Sequence, residues 1–373
     1  MERTELKAWL RLTLTAGAGN HTARKLLTAF GSAEAVFEQS EAALRQLGSN
    51  KLVSALKLEP PKLPELLSAT LDWLAAGDDR AVAPIGSPLY PAALLDIEDP
   101  PLMLYMLGSH IHRAQAATDS IAKNLAIVGS RNPTPQGQEN ARQFAKAFAA
   151  QGLCIVSGLA LGVDGAAHDG ALLGGGQTIA IVGTGLDRVY PKTHLTLAHR
   201  IAANGLLISE FPIGTPPINA NFPKRNRIIS GLSAGTLVVE AALQSGSLIT
   251  ARLANEQGKD VFAIPGSIHS PQSRGCHYLI KQGAKLVETA QDVMEELRIP
   301  MSSITPAADD GNNAPQGDSS FLSALGFDIV SLDALQARTG LPTPELQAKL
   351  LALELDGLMT RLPGGLFQRM SAG

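Results

Sequence analysis

Short, nearly continuous runs of Val, Ile and Leu recur through the central part of the chain, between about residues 80 and 298. The runs are LAIVG (125–129), LCIVS (153–157), TIAIVG (178–183), LLISE (206–210), TLVVE (236–240) and VFAIPG (261–266). Strands that are buried on both faces need apolar residues at every position, and helices between such strands supply parallel crossovers. The amphipathic segments between the runs, such as 136–152 and 247–258, end on glycine as helices often do. The pattern therefore predicts an open, doubly wound, mostly parallel α/β sheet over 80–298.

The first 65 residues have a different pattern, with apolar positions at helical spacing interrupted by GAGN, FGS and LGS. We predict a small helical domain here, of the SAM or helix-hairpin-helix kind, followed by a hinge at EPPKLP (59–64). Glycine-containing turns between helices are able to place backbone amides against a phosphate. A helical adaptor without any ligand remains the alternative.

The segment 299–318 is rich in Pro, Gly, Asn and Asp and predicts a flexible linker. Residues 319–373 then read as a serine-capped helix, a second helix with proline in its first turn, and a hairpin around PGG, which together predict a winged-helix domain. The second of these helices carries Glu345, Glu354 and Asp356 against Lys349. Because this surface would repel phosphate, we expect it to contact protein rather than read duplex DNA.

Composition limits the possible partners. The formal net charge of −3 argues against a general surface for polyanions, so any nucleic-acid site must be a local cluster. No apolar run reaches the ~18 residues of a membrane span, and MERTELKAWL lacks the core of a signal peptide. We expect a soluble cytoplasmic protein without a membrane partner. Cys154 and Cys276 lie in apolar contexts without metal-ligand spacing and are expected to be buried thiols.

Loops that follow the predicted strands should meet at one edge of the sheet, where such folds bind ligands. Gly129, Ser130 and Arg131 end the first strand and suit a phosphate, since glycine allows close approach and arginine adds a bidentate fork. Ser157 and Gly158 stand at the end of the second strand. Two interpretations of the loop that begins there, a phosphate cradle and a tight strand-to-helix turn, remain equally open.

The third loop, VGTGLDRVYPKTH, lacks the last glycine of a dinucleotide fingerprint, because Arg188 stands in its place. Dinucleotide binding is therefore disfavoured and no cofactor is expected. Lys192, in the same loop, is a candidate contact for a nucleic-acid backbone.

The stretch NFPKRNRIISG concentrates positive charge beside an aromatic ring. Its candidate binding residues are Phe222, Lys224, Arg225, Asn226 and Arg227. Cations at the start of a helix oppose its dipole, and no neighbour through Gly235 is acidic, so an anionic partner such as a phosphate backbone is expected. The later turn Ser245, Gly246 and Ser247 offers hydroxyls and amides that suit positioning a backbone.

Candidate catalytic and metal-binding residues are few. Asp164 and His168 lie four apart with Asp169 adjacent, but no third ligand stands at a matching spacing. Glu240 ends a strand without a His, Cys or second carboxylate placed near it by the sequence. We therefore expect no metal site and no enzymatic activity.

The ordered motifs VGSR, SGLALGVD, GTGLDRVYP, SEFPIGTPP, FPKRNRIISGLS, VVEAALQSGSLITA and VFAIPGS resemble those of the DNA-processing protein A family (DprA, also called Smf). The resemblance covers the whole α/β region in order, and its most specific parts are FPxRNRIIxGLS and SGSLITA. It implies an extended Rossmann-like domain that binds single-stranded DNA and forms a homodimer. It also implies that the protein protects incoming DNA and loads RecA in natural transformation, with single-stranded-DNA-binding protein as a possible further partner.

The resemblance places the DNA site at Ser130 and Arg131, at Phe222 through Arg227, and at Ser245 through Ser247, with the Phe222 ring against a base. Family members often have lysine where this chain has Asn219, which weakens the expectation of a backbone contact there. Four cations of this set, each neutralising one phosphate, would give a log–log salt slope of about −3. No function is assigned to the insert at 110–124.

A nucleotide-processing enzyme is the alternative. AGTLVVEAA resembles the signature of lysine-decarboxylase-like phosphoribohydrolases, with Gly235, Thr236 and Glu240 matching, but Leu232, Ser233 and Ala234 replace the glycine-rich half. A nuclease or topoisomerase would need an acidic metal cluster or an activated nucleophile, which the sequence does not offer.

Overall fold

The computed structural model describes residues 1–109, 111, 123–299, 316–327 and 329–370. Most of the insert at 110–124 and most of the predicted linker at 299–318 lie outside the described residues. Within the described residues, no helix has the length and apolar character that a membrane crossing requires.

A nine-stranded sheet organises the central region, with strand order β1-β2-β6-β5-β4-β3-β7-β8-β9. The strands β1 to β9 are Arg80–Pro84, Met103–Leu107, Asn124–Val128, Cys154–Ser157, Thr178–Ile181, Leu206–Ser209, Gly235–Val238, Asp260–Ala263 and Lys285–Leu286. Each of the six predicted runs forms a strand, and these strands pair in parallel. The sequence pattern missed three strands: β1 and β2, which pair antiparallel with each other and continue antiparallel onto β6, and the two-residue β9 beside β8.

Helices cover both faces of this sheet, as a doubly wound fold requires. They are α7 (Pro135–Ala150), α8 (Val163–Leu173), α9 (Leu195–Asn204), α10 (Asn221–Gly231), α11 (Ser247–Glu256), α12 (Arg274–Lys281) and α13 (Ala290–Glu296). Alternate residues of β3 divide between the faces: Leu125 and Ile127 share a core with α7 and α8, while Ala126 and Val128 share one with α10, α11 and α12. The prediction of a doubly wound, mostly parallel sheet is confirmed.

The N-terminal region is helical, but it continues beyond residue 65. Its helices are α1 (Arg3–Leu14), α2 (Asn20–Phe30), α3 (Ala33–Glu38), α4 (Glu41–Arg45), α5 (Asn50–Lys57) and α6 (Leu63–Ala75). Pro64 lies in the first turn of α6, where proline costs little helix stability. The last two residues of the predicted hinge therefore form the start of this helix. Trp73 of α6 packs edge-on against Tyr105 of β2, with ring centroids 5.9 Å apart. These helices therefore share a core with the sheet.

The C-terminal region forms a winged-helix domain, as predicted. Its elements are α14 (Gln316–Leu325), β10 (Val330–Ser331), α15 (Leu332–Thr339), α16 (Thr343–Leu355), β11 (Met359–Leu362) and β12 (Leu366–Arg369). The hydroxyl of Ser331 accepts a hydrogen bond from the amide of Ala334 and caps α15. The strands β11 and β12 form the wing on either side of PGG.

The strand order reverses between β3 and β7, which places a crevice between the loops that follow these two strands. Thr134 and Glu240 join the two sides of this crevice. The Thr134 hydroxyl accepts from the amide of Gly137 at the start of α7 and donates to Glu240 Oε1 at 2.7 Å. The Thr134 amide donates to Glu240 Oε2 at 2.9 Å. One threonine thus caps a helix and holds the loop after β7 against the loop after β3.

We expect Thr134→Ala to lower the free energy of unfolding by about 2 kcal/mol, because it removes a helix cap and also leaves the half-buried Glu240 carboxylate without one of its donors. Ser32→Ala is the matched control, since Ser32 caps the exposed start of α3 and bonds no carboxylate there. The control should cost about 1 kcal/mol or less. Urea unfolding measures both values, and equal losses would contradict the role assigned to the Thr134–Glu240 contact.

Candidate nucleic-acid interface

A cleft of about 490 Å³ lies where the strand order reverses. Four segments contribute most of its wall: the loop after β3, the loop after β4, one face of α10 and the loop after β7. The lining residues are Val128, Gly129, Ser130, Arg131, Asn132, Ala160, Asp164, Phe222, Pro223, Arg225, Asn226, Ile229, Ala242, Gln244, Ser245, Gly246, Ser247, Thr250 and Gln272. The structure therefore brings together the GSR, FPKRN and SGS motifs that the sequence predicted as one site.

The helix α10 separates the cations that the sequence places side by side. Phe222, Arg225 and Asn226 face the cleft, with Ile229 one turn further along the same face. Lys224 and Arg227 do not line this cleft. The cations of this stretch therefore lie on different faces of α10, because a helix turns by about 100° per residue. Contact of Lys224 and Arg227 with DNA stays a prediction.

Carboxylates from elsewhere in the chain already neutralise Arg227 and Lys224. Arg227 donates to both oxygens of Glu210, at 2.6 and 2.7 Å, and its Nε donates to the carbonyl of Asp99 at 2.8 Å. The Lys224 ammonium lies 3.6 Å from Glu210. Glu210 itself is buried to 5% side-chain exposure. These contacts stabilise α10 internally and supply acidic partners that the residues next to this stretch in the sequence do not provide.

Arg225 lies beneath the cleft rather than on its surface. The residue is 4% exposed, and its Nη1 donates to the carbonyls of Gly158 and Ile181. Its Nη2 lies 3.9 Å from Asp164 Oδ2, and Asp164 also accepts from the amides of Gly158 and Ala160. Burial lowers the pKa of Arg225 to about 10, and the nearby carboxylate opposes that shift. Arg225 and Asp164 thus form a buried pair of opposite charges beneath the cleft.

Gly158 is required by this arrangement. A Cβ at this position would overlap the Arg225 guanidinium. The sequence left open whether Gly158 cradles a phosphate or only allows a tight turn, and the structure shows a third role, which is to admit the arginine.

Arg131 is the exposed cation of the cleft wall. Its guanidinium carbon lies 5.6 Å from the centroid of the Phe222 ring, within cation–π range. Among the residues that the structure describes, no carboxylate forms an ion pair with Arg131. An unpaired cation beside a partly exposed ring is the combination that holds a phosphate next to a stacked base.

The opposite wall consists of hydroxyls and amides. The hydroxyls of Ser245 and Ser247 lie 2.7 Å apart, and the Asn226 amide donates to the carbonyl of Gly246 at 3.3 Å, which ties this turn to α10. On the side of Arg131, the Ser130 hydroxyl accepts from the amide of Asn132 at 3.1 Å. These groups are preorganised polar donors and acceptors without charge, which suits positioning of a backbone.

Six predicted residues lie outside the lining of the cleft: Ser157, Gly158, Lys192, Asn219, Lys224 and Arg227. Ser157 is fully buried and its hydroxyl donates to the carbonyl of Ile127 at 2.6 Å, so it supports the sheet. Lys192 and Asn219 are exposed residues of neighbouring loops. Their contact with nucleic acid stays a prediction. No sequence signal marked Gln244 and Gln272, whose polar side chains complete the wall.

The residues weighed for metal binding and catalysis are engaged in internal contacts. Asp169 pairs with Arg142 and Arg200, and the buried His168 contacts Thr178 Oγ1 through Nδ1 at 2.6 Å. Burial lowers the pKa of His168 to about 3, which keeps it neutral. Within the described ranges, no three His, Cys, Asp or Glu residues are grouped so that they could hold a metal ion.

The family model for DNA recombination-mediator protein A matches residues 81–298, and the model for the DprA winged helix domain matches residues 305–365. The chain belongs to the DNA recombination-mediator protein A family. The Smf protein of Escherichia coli K12 is 41% identical over 306 residues, which is 80% of each chain. The recombination-mediator match spans the whole nine-stranded sheet except the first residue of β1.

Two solved structures of this family resemble the chain. DNA processing protein A from Streptococcus pneumoniae aligns with a TM-score of 0.60 and 35% identity, covering 79% of this chain and 98% of that one. DNA processing protein A from Helicobacter pylori, reported with its single-stranded DNA binding mode, aligns with a TM-score of 0.52 and 32% identity, covering 59% of this chain and 97% of that one. These similarities agree with the extended Rossmann-like fold.

We expect Asp164→Asn to destabilise this recombination-mediator domain by about 3 kcal/mol, because it leaves the buried Arg225 without a carboxylate. Asp187→Asn is the control, since Asp187 pairs with Arg188 at 2.7 Å where both side chains are partly exposed. Such a pair contributes about 1 kcal/mol or less. Chemical denaturation compares the two variants, and a loss for Asp164→Asn no larger than for the control would contradict the buried-pair account.

Proposed function

We propose that this chain binds single-stranded DNA in the cleft and acts as a recombination mediator, without enzymatic activity of its own. The observation that carries the proposal is the exposed Arg131 guanidinium beside the partly exposed Phe222 ring, at the point where the strand order reverses. The finer proposal is that the protein is a cytoplasmic homodimer that protects incoming DNA and loads RecA onto it during natural transformation.

The chemistry of the cleft favours an unpaired strand. Single strands are held by cations along the backbone and by aromatic rings that stack on bases, at roughly 1 to 3 kcal/mol per base. Bases inside a duplex are already stacked and paired, so a ring such as Phe222 has access only to a strand that is open. The wall of hydroxyls and amides around Ser245 supplies contacts that do not depend on base identity.

The contacts of Glu240 do not support the alternative of a phosphoribohydrolase-like enzyme. Both of its carboxylate oxygens accept hydrogen bonds from Thr134, and burial raises the pKa of Glu240 in spite of these bonds. Gly235 and Thr236 lie within β7, and Leu232 and Ser233 are buried. The matched residues therefore serve the sheet and its crevice rather than an exposed phosphate loop.

The proposed partners RecA and single-stranded-DNA-binding protein are supported by membership of the recombination-mediator family. The positive charge that the proposal needs is local, because the whole chain has a formal net charge of −3. Binding in this cleft should therefore depend less steeply on salt than binding along a broad basic surface, because fewer phosphates are neutralised.

Arg131→Ala should weaken binding of an oligo-dT single strand and flatten the log–log salt slope by about 0.7, since one phosphate contact is lost. Arg252→Ala is the matched control, because Arg252 is an exposed arginine of α11 that does not line the cleft. It should leave affinity and slope unchanged. The measurement is fluorescence anisotropy over a series of salt concentrations, and equal slopes for the wild type and Arg131→Ala would remove Arg131 from the site.

The mediator role is tested by RecA strand exchange on DNA that is coated with single-stranded-DNA-binding protein. This coating blocks the access of RecA to the DNA. The wild type should relieve the block and restore strand exchange, whereas Phe222→Ala should restore it poorly, because the stacked base is lost. Arg252→Ala should behave as the wild type. If the wild type binds single strands and the block persists, DNA binding stands and the mediator role is contradicted.

A further inference from the structure

A second aromatic ring lies next to Phe222, outside the lining of the cleft. The rings of Tyr190 and Phe222 have centroids 5.6 Å apart and planes inclined by 34°. Tyr190 is 47% exposed, so a large part of its side chain is free to contact a ligand.

The loop that carries Tyr190 is fixed at both ends. Before Tyr190, the Gly185 amide donates to the carbonyl of Thr215 at 3.0 Å, and Asp187 accepts from the amide of Gly214 at 2.8 Å. After Tyr190, the ring of His194 contacts the carbonyl of Leu159 through Nδ1 at 3.1 Å. The exposed ring therefore stands on an anchored segment, so little conformational entropy would be lost when a ligand covers it.

Phe222 is held from its other side. Asn221 donates to the carbonyl of Gly183 at 3.1 Å, and a Cβ at Gly183 would come within 2.9 Å of the Phe222 ring. Phe222 thus has two neighbours at 5.6 Å from its ring centroid, the Arg131 guanidinium and the Tyr190 ring.

We propose that Tyr190 is a second stacking platform, which holds the unpaired base adjoining the one on Phe222. This inference rests on the proposed binding of single-stranded DNA and extends that site beyond the cleft. The 5.6 Å separation of the two rings exceeds the ~3.4 Å rise per nucleotide of a duplex strand. Two rings at this spacing suit an unpaired strand, whose neighbouring bases can separate, rather than a duplex strand, whose bases stay stacked on one another.

The charges beside Tyr190 agree with a strand that leaves the cleft in this direction. Lys192 is exposed two residues further along the chain and forms no ion pair among the described residues. Arg188, on the other side, is already bound to Asp187 through two hydrogen bonds. Lys192 is thus the cation of this loop that is placed to meet the next phosphate.

The test measures binding of the full-length chain to oligo-dT by fluorescence anisotropy. Tyr190→Ala should lower affinity at least about fivefold, which is the lower limit for one stacked base. Tyr190→Phe restores the ring and should recover that affinity. Tyr278→Ala is the matched control, since Tyr278 is 50% exposed and lines a different cavity. It should bind as the wild type does.

A second readout locates the base. With 2-aminopurine placed singly along the oligonucleotide, stacking quenches its fluorescence, and the wild type should quench it at two adjacent positions. Tyr190→Ala should retain quenching at one of them, and Phe222→Ala should retain it at the other.

The outcomes separate this inference from the proposed function. If Phe222→Ala weakens binding and Tyr190→Ala does not, the second platform is overturned while the binding site stands. Equal losses for Tyr190→Ala and Tyr190→Phe would assign the effect to the hydroxyl and also overturn stacking. A wild type that binds no oligonucleotide would overturn the proposed function itself.

Discussion

The buried guanidinium of Arg225 is the contact on which the geometry of the cleft depends. It joins α10 to the loop after β4 through Gly158 and to the end of β5 through Ile181, while Asp164 supplies the compensating charge. Because Phe222 lies one helical turn before Arg225, the same contact sets where the Phe222 ring stands. The same packing explains why residue 158 is glycine, because a side chain at Gly158 would displace the guanidinium.

The charges of α10 divide between two tasks. The face with Lys224 and Arg227 binds Glu210 and Asp99, and through Asp99 it reaches Asn20 at the start of α2 in the N-terminal helices. The face toward the cleft contributes a buried charge and a ring, and the exposed charge comes from Arg131 on another loop. A protein with a net negative charge can thus present a small positive site, because the cations of α10 are paired with carboxylates while Arg131 is left exposed.

The sequence was sufficient for the parts of this account that depend on local pattern. Continuous apolar runs predicted six parallel strands, and topology then placed GSR, FPKRN and SGS at one edge. The sequence was insufficient where a charged residue has its ion-pair partner in a distant part of the chain. Asp164 and Asp99 neutralise arginines that are far from them in sequence, so the absence of acids near NFPKRNRIISG did not mean that its cations were free. Tyr190 was likewise missed, because only the folded loop brings it beside Phe222.

The most direct measurement is to map where a single strand touches the protein. Oligonucleotides that carry a photoreactive base would be cross-linked to the full-length chain, and the modified peptides would be identified by mass spectrometry. We expect cross-links at Phe222 and in the segments around Arg131 and Tyr190. Cross-links confined to the winged-helix domain, or to the face of α10 with Lys224 and Arg227, would contradict the central claim that the strand lies in the cleft between β3 and β7.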